Sequence, residues 1–353
     1  MKKHRCRPGA DDGVAVESFV EGNVARTLRS LRRVLLAPEL AEVSFARRGF
    51  PPLPAGSPAA RLQDVPRAVV CGFEWAMEER GVEDIAHRLE LLDPEQRGFG
   101  YEGATMALTV LDVMGRRGHR TRRLLDGPGR PHILLAYIGI GFAMARLPRV
   151  LWGKVLPDLT DQPFHPVMSW LAVDGYGFDL AYFHTRRWVD EQRVPASHPW
   201  QGAPDYFPRA VDQGIGRALW FIHGARPERV DAAIRAFAEH RQADLWSGAG
   251  LASAFAGGCG ADTFAELRRL AGRHVPELAQ GAVFAVRARD LAGFVPEHTA
   301  VATRALTGLS VEAAVALADD SAPPAGGPGQ VPAYEHWRRA IRAHFRPEVA
   351  ARR

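Results

Sequence analysis

An all-α fold, with helix pairs stacked as an α-solenoid or closed into an α/α ring, follows from three observations in the sequence. Apolar residues recur at helical spacing along most of the 353 residues. A glycine-led motif returns at a nearly constant interval, the mark of stacked supersecondary units. Second amphipathic stretches lie between its copies, so each unit reads as two helices. HILLAYI (132–138) is the one run that reads as a strand, and one minor strand element is allowed for it.

From the start of the chain, residues 1–13 read as a disordered basic tail and residues 14–50 as an amphipathic N-terminal helix region. Within 14–37, Val16, Phe19, Val20, Val24, Leu28, Leu31 and Leu35 fall at helical spacing with arginines between them. An arm packed on its own domain is the favoured reading; its basic face leaves peripheral membrane contact open. PPLPAGSPAA (51–60) is a Pro-rich connector.

Residues 61–320 form the helical-repeat body. There GYEGATMALTVL (100–111), YIGIGFAMARL (137–147), DGYGFDLAYF (174–183), DQGIGRALWF (212–221), LWSGAGLASAF (245–255) and LAQGAVFAV (278–286) align. With Gly103, Gly141, Gly177, Gly216 and Gly250 as equivalents the steps are 38, 36, 39 and 34 residues, and Gly248 to Gly281 is another 33. RPERVDAAIRAFAEH (226–240) and ADTFAELRRLAGR (261–273) are the intervening helices. A flexible linker (321–332) leads to a C-terminal docking helix and tail (333–353), with Trp337, Ile341 and Phe345 on one face.

The glycines are expected just ahead of the helix starts, where glycine permits close backbone approach or leaves amides free at the positive end of the helix dipole. The dinucleotide fingerprint wants a third small residue, but Met144 and Leu219 hold that place, so a Rossmann domain is disfavoured. A phosphate cradle is needed once, whereas packing between repeats is needed everywhere, and packing is preferred. Glu102, Asp174, Asp212 and Asp244 beside these glycines read as helix N-caps; the alternative is that they converge around a shared cavity.

Bulk chemistry excludes several classes. The charge of +5 comes almost wholly from arginine, since Lys occurs only at positions 2, 3 and 154; with abundant Ala, Gly and Pro this suggests a GC-rich genome, so no nucleic-acid partner is expected. Cys6, Cys71 and Cys259 are far apart, which fits a reducing cytoplasm and no thiolate zinc site. No signal-peptide pattern and no apolar run of about 18 residues is found.

No HExxH, GxSxG, Walker-A, DFG or EF-hand pattern is present. DGYGFDLAYFHTRRW (174–188) is densest in chemical groups; Asp179 and Tyr182 share a helix face, His184 lies off it, and a metal site would need a second element. His132, His223 and His298 read as structural, and neither metal ligands nor a cofactor are assigned. Glu102, Asp174, His184 and Asp212 are the candidate acid/base groups. Tyr101, Tyr137, Tyr176, Gln213, Trp220, Asp244, Trp246 and Gln280 are the candidate binding residues. Trp220, Phe221, Trp246, Phe255 and Phe284 either pack the core or line an apolar tunnel.

AEVSFARRGFP (41–51), RGFGYEGATMAL (97–108), LLDGPGRPH (124–132), GFAMARLPRVLW (141–152), DGYGFDLAYFH (174–184), DQGIGRALWFIHGA (212–225), ADLWSGAGLASAFAGG (243–258) and LAQGAVFAVRAR (278–289) together resemble the domain of unknown function 1702 family. That family includes the UnbL-type proteins of actinomycete enediyne gene clusters. The resemblance spans about residues 14–345. It implies an accessory role in building an enediyne warhead, where an iterative polyketide synthase makes a linear conjugated polyene and UnbV- and UnbU-like accessory proteins are partners. No catalytic residue is carried over from it. Two classes of function follow: a multi-protein enzymatic step on an apolar polyene, or a non-catalytic scaffold or carrier.

Overall fold

The structure, a computed structural model, describes residues 40–78, 81–115, 118–160, 162, 164–323 and 331–346. The basic tail, the amphipathic stretch 14–37, most of the 321–332 linker and the end of the C-terminal tail lie outside the described residues.

A single helical turn, Phe45–Arg48, and a 3-10 segment, Pro58–Gln63, precede the first long helix. The helices then follow in order: α1 (Asp64–Glu78), α2 (Val82–Leu89), α3 (Pro94–Met114), α4 (Arg120–Asp126), α5 (Ile133–Arg146), α6 (Trp170–Phe183) and α7 (Phe207–Ile222). After them come α8 (Pro227–Ala236), α9 (Glu239–Ala256), α10 (Ala261–Ala271), α11 (Val275–Leu291), α12 (Glu297–Thr307), α13 (Val311–Asp320) and α14 (Ala333–His344). No strand occurs among the described residues, and HILLAYI lies mostly in α5. Every residue from Ile133 to Met144 is buried, so no apolar period marks that run as helix.

Two layers result. Helices α1, α3, α5, α6, α7, α9 and α11 pack side by side in chain order and from α3 to α11 are buried on nearly all faces. The shorter helices bury one stripe only, such as Val230 and Ile234 of α8 or Phe264, Leu267 and Ala271 of α10, and form the outer layer. The expected helix pair is incomplete at two places. Between α5 and α6, and between α6 and α7, short 3-10 and π turns replace the outer helix, because Pro148, Pro157, Pro166, Pro195, Pro199 and Pro204 interrupt these stretches.

The glycine pairs explain the inner layer, and they correct the expected position: they lie inside the helices, not ahead of them. Residues i and i+2 of an α-helix point about 200° apart, so a GxG pair in a helix standing in a row serves both neighbours. A Cβ on Gly139 would lie 2.1 Å from the carbonyl oxygen of Glu102 in α3, and one on Gly141 would lie 2.1 Å from that of Ala172 in α6. Gly175 and Gly177 repeat this towards α5 and α7, at 2.3 Å from Ile138 and 2.2 Å from Val211. The pairs in α7 and α9 do the same. Backbone therefore touches backbone along the row, where Cα–H groups meet carbonyls. The N-cap reading of Glu102, Asp174, Asp212 and Asp244 is likewise corrected, since all four sit a turn or more inside their helices.

The row closes on itself. Arg289 of α11 donates to the Glu95 carbonyl at the start of α3 at 2.7 Å, and its guanidinium sits 3.8 Å from the Phe255 ring centre and 5.6 Å from that of Phe99. One end of the enclosed space is covered by α14. Arg338, fully buried, donates to Asp244 (2.8 Å), Gln280 (3.0 Å), Glu335 (3.1 Å) and the Tyr206 hydroxyl (2.7 Å), while the Tyr334 hydroxyl pairs with Gln213. Through Gln213, Asp244 and Gln280, α14 meets α7, α9 and α11, so this one helix ties three inner helices together.

Replacing Gly177 or Gly214 by Ala forces a methyl into a neighbouring backbone carbonyl, 2.2 Å and 1.9 Å away. Each exchange is expected to destabilise the fold by about 3 kcal/mol or more. Gly153→Ala, where nothing lies within 4 Å, is expected to stay within about 0.5 kcal/mol. Urea unfolding of the three variants checks the difference, and equal losses would contradict the backbone contact.

Candidate functional site

The same helical geometry decides what faces the enclosed space. With neighbours at 0° and 200°, the residue between the glycines points outward and the residue after the second one points inward. Tyr176, between Gly175 and Gly177, packs outside against Trp152 with ring centres 4.9 Å apart. The inward positions hold Phe142, Phe178, Arg217 and Leu251. Three are apolar. Arg217 is the exception.

The hollow has two compartments. The first, among α1, α3, α5, α6 and α7, has about 60 Å³ of room for water-sized molecules. Its walls include Val69, Phe99, Met106, Phe142, Phe178 and Tyr182. The second, towards α9 and α11, has about 30 Å³ of such room and is walled by Leu134, Ile138, Leu171, Leu251, Phe255 and Phe284 among others. Both are narrow slots. Phe99, Glu102, Arg217 and Phe221 line both and form a waist between them.

Glu102 is 2% exposed and has no hydrogen-bond or ion-pair partner among the described residues. Burial pushes its carboxyl from the ordinary 4.5 up to about 8; nearby Arg217 opposes that rise and Asp174 adds to it. Arg217, also buried, donates through Nη1 to Asp174, lies 5.1 Å from the Phe178 ring centre, and leaves Nε without a partner. Asp174 also accepts from Gln213 Nε2 at 2.8 Å, and Gln213 donates to Tyr334 at 2.9 Å. A polar chain thus runs from α14 through Gln213 and Asp174 to the waist. A carboxyl held mostly protonated at neutral pH can give a proton to a bound ligand, and its conjugate base can take one. A free guanidinium N–H beside it can hold an oxygen.

The sequence candidates separate. Glu102 lines the hollow, and Asp174 stands one contact behind it through Arg217. His184 lies elsewhere, in a polar recess with Glu42, Arg47, Arg48, Arg146 and Asp179. Asp212 is held by Arg241 Nε and Nη2, at 3.0 Å and 2.6 Å for the shortest contacts, and does not join the others. Asp244 and Gln280 belong to the layer under α14, as does Gln213. Tyr101 stacks on His132 at 4.4 Å, Tyr137 bonds His165 at 3.0 Å, Trp220 donates to the Gly257 carbonyl at 2.8 Å, and Trp246 is buried in the core. None of the eight expected binding residues lines either compartment.

Arg217, Phe99, Met106 and Phe178 were missed by sequence reasoning. The signal for Arg217 was present: it is a charged residue at a register position that is otherwise apolar. Among the described residues, no group of three or more His, Cys, Asp or Glu is positioned to share a metal, and no single helix is long and apolar enough to cross a membrane.

The family model described as protein of unknown function, DUF1702, matches residues 27–345. Neither a curated protein nor a solved structure matches the chain.

The raised carboxyl has a consequence for stability. The native state keeps the Glu102 proton from about pH 4.5 to about pH 8, whereas the unfolded chain has released it. Native stability therefore falls as pH rises through that window, by a few kcal/mol for a shift of this size. Glu102→Gln removes this term. Denaturant melts at about pH 5 and about pH 8.5 should show the wild type losing more stability than the variant; parallel losses would refute the assignment.

Proposed function

The chain belongs to the DUF1702 family, and we propose that it acts in building an enediyne warhead, taking a polyketide-derived conjugated polyene into the hollow and moving a proton on it. The pathway rests on the resemblance to UnbL-type proteins. The molecular role rests on one observation: a narrow apolar slot in two parts with an unpaired carboxyl, Glu102, and a free guanidinium N–H, Arg217, at its waist.

A conjugated polyene suits such walls. It is thin, flat and stiff, so little of its conformational entropy is lost on entry, and aromatic residues such as Phe99, Phe178 and Phe221 offer it apolar faces. A polar oxygen on the chain, brought to the waist, would accept from Arg217 Nε. Glu102 would then donate its proton to one carbon of the conjugated chain, and the resulting carboxylate would take one back from a carbon flanking the far end of the delocalised cation, which moves the double bonds. The net change is a proton shift, as in an isomerisation or cyclisation, and needs no oxidant. UnbV- and UnbU-like proteins are the partners that the resemblance supplies for any redox step.

A carrier that only shelters the polyene would use the same slot without the proton transfer. The two are separated by Glu102→Gln in a reconstituted system of polyene, this protein and its partners. Acid/base use of Glu102 predicts a loss of product formation of about 100-fold or more, with polyene binding retained. Unchanged product formation by the variant would leave the carrier. Unchanged product on omitting the protein would sink both.

A further inference from the structure

The polar recess that holds His184 adjoins the first compartment: Arg146, Asp179 and Phe183 line both. It is far roomier than the slot, with about 410 Å³ open to water. Its remaining wall comes from the segment before α1, where Glu42, Arg47 and Arg48 lie. That segment is anchored. The Tyr182 hydroxyl donates to the Val43 carbonyl at 2.7 Å, the Phe50 ring meets Tyr182 edge-on at 5.1 Å, and Ser44 caps the turn Phe45–Arg48.

The charges around the recess do not balance. Arg146 is paired with Asp179, whose carboxyl burial still holds above its ordinary value although Arg146 opposes the rise. Arg48 makes one long bond, 3.4 Å, to the Phe183 carbonyl. The guanidinium of Arg47 has no ion-pair or hydrogen-bond partner among the described residues. Against these stands Glu42, on the exposed rim, while His184 completes the wall. Two guanidiniums pack on the Phe183 ring, Arg48 at 5.3 Å and Arg146 at 5.1 Å from its centre. Cation–π contact with this ring holds both forks at the point where the recess meets the slot.

We propose that the recess formed by Arg47, Arg48 and Arg146 is a head-group subsite that holds the terminal carboxylate of an acyl chain whose apolar body lies in the slot. Guanidinium forks match a carboxylate's two oxygens, and the shared wall at Phe183 puts the charged end and the apolar path in register. This rests on the reading of the hollow as a chain-binding slot. It extends that reading by fixing the chemical class of the ligand, an unsaturated carboxylic acid, and its direction of entry, tail first towards Glu102.

The test uses the full chain and two probes, the conjugated tetraene parinaric acid and its methyl ester, with binding followed by the tetraene's fluorescence at neutral pH. The wild type is expected to bind the acid about tenfold more tightly than the ester, with the preference shrinking as salt is raised. The double variant Arg47→Gln, Arg48→Gln should bring the acid to the ester's affinity. Ester binding by that variant reports that it has folded. Ala252→Trp, which fills the second compartment, should weaken both probes alike. Equal wild-type affinity for acid and ester, or a preference that survives the double variant, would overturn the head-group subsite while leaving the slot. If neither probe binds, or if Ala252→Trp changes nothing, the chain-binding reading of the hollow fails and the subsite falls with it.

Discussion

Contact between backbones sets the spacing of the inner helices. Helices packed through ordinary side chains stand about 8–10 Å apart; here even one added methyl, at Gly139 or Gly214, would sit about 2 Å from a neighbouring carbonyl oxygen. Each glycine inside a helix weakens it by up to about 1 kcal/mol relative to alanine, so the row is sustained by what close approach gains in dispersion contact. The ring it makes is tight. Its inner faces carry Phe142, Phe178, Phe221 and Phe255, which leave only narrow gaps between them. The slot is thus a consequence of the glycines, one step removed.

A tight ring has no room for water to solvate polar groups at its end, so those groups must satisfy one another. Arg338 reaches four oxygen acceptors at once, and desolvation of Glu335 is overcome by Arg338, Arg342 and Arg209, which hold its carboxyl well below the usual carboxylate range. Removing one member of such a cluster leaves an uncompensated buried charge. The polar layer therefore acts as a fixed end plate, and Gln213 and Asp174 extend it to Arg217. Arg217 is held by this plate from one side, and its other side faces the slot.

The period of the motif, the helical class and the location of the C-terminal helix could be read from residues alone. The position of the glycines could not, because α5, α6 and α9 are buried on nearly all faces and show no apolar stripe from which to fix their starts. With the glycines placed at helix fronts, the nearby acids read as caps sharing a rim. In the actual register Glu102 directly precedes Gly103 and Asp174 directly precedes Gly175, but Asp212 lies two residues before Gly214 and Asp244 four before Gly248. At 100° per residue Asp212 turns away from the hollow and meets Arg241, whereas Asp244 keeps the inward face but lies four residues, about 6 Å, nearer the start of its helix, where it meets Arg209 and Arg338 under α14. The inward register, one residue past the second glycine, is the rule that would have found Arg217.

The strongest reason to give the waist a role comes from what it lacks. Orphan donors occur elsewhere, among them Arg338 Nη2, Gln280 Nε2 and Arg289 Nε, which sits behind the Phe255 and Phe99 rings, but none of these three residues lines the slot. Glu102 and Arg217 both do, and they are not hydrogen-bonded to each other. An apolar residue at position 102 would fill the same wall without the desolvation that raises the carboxyl to about 8, so stability alone gives no account of a glutamate there. A ligand that brings its own oxygen to the waist would supply the missing partner for Arg217. It would also meet a carboxyl whose proton is held loosely enough, at neutral pH, to be moved.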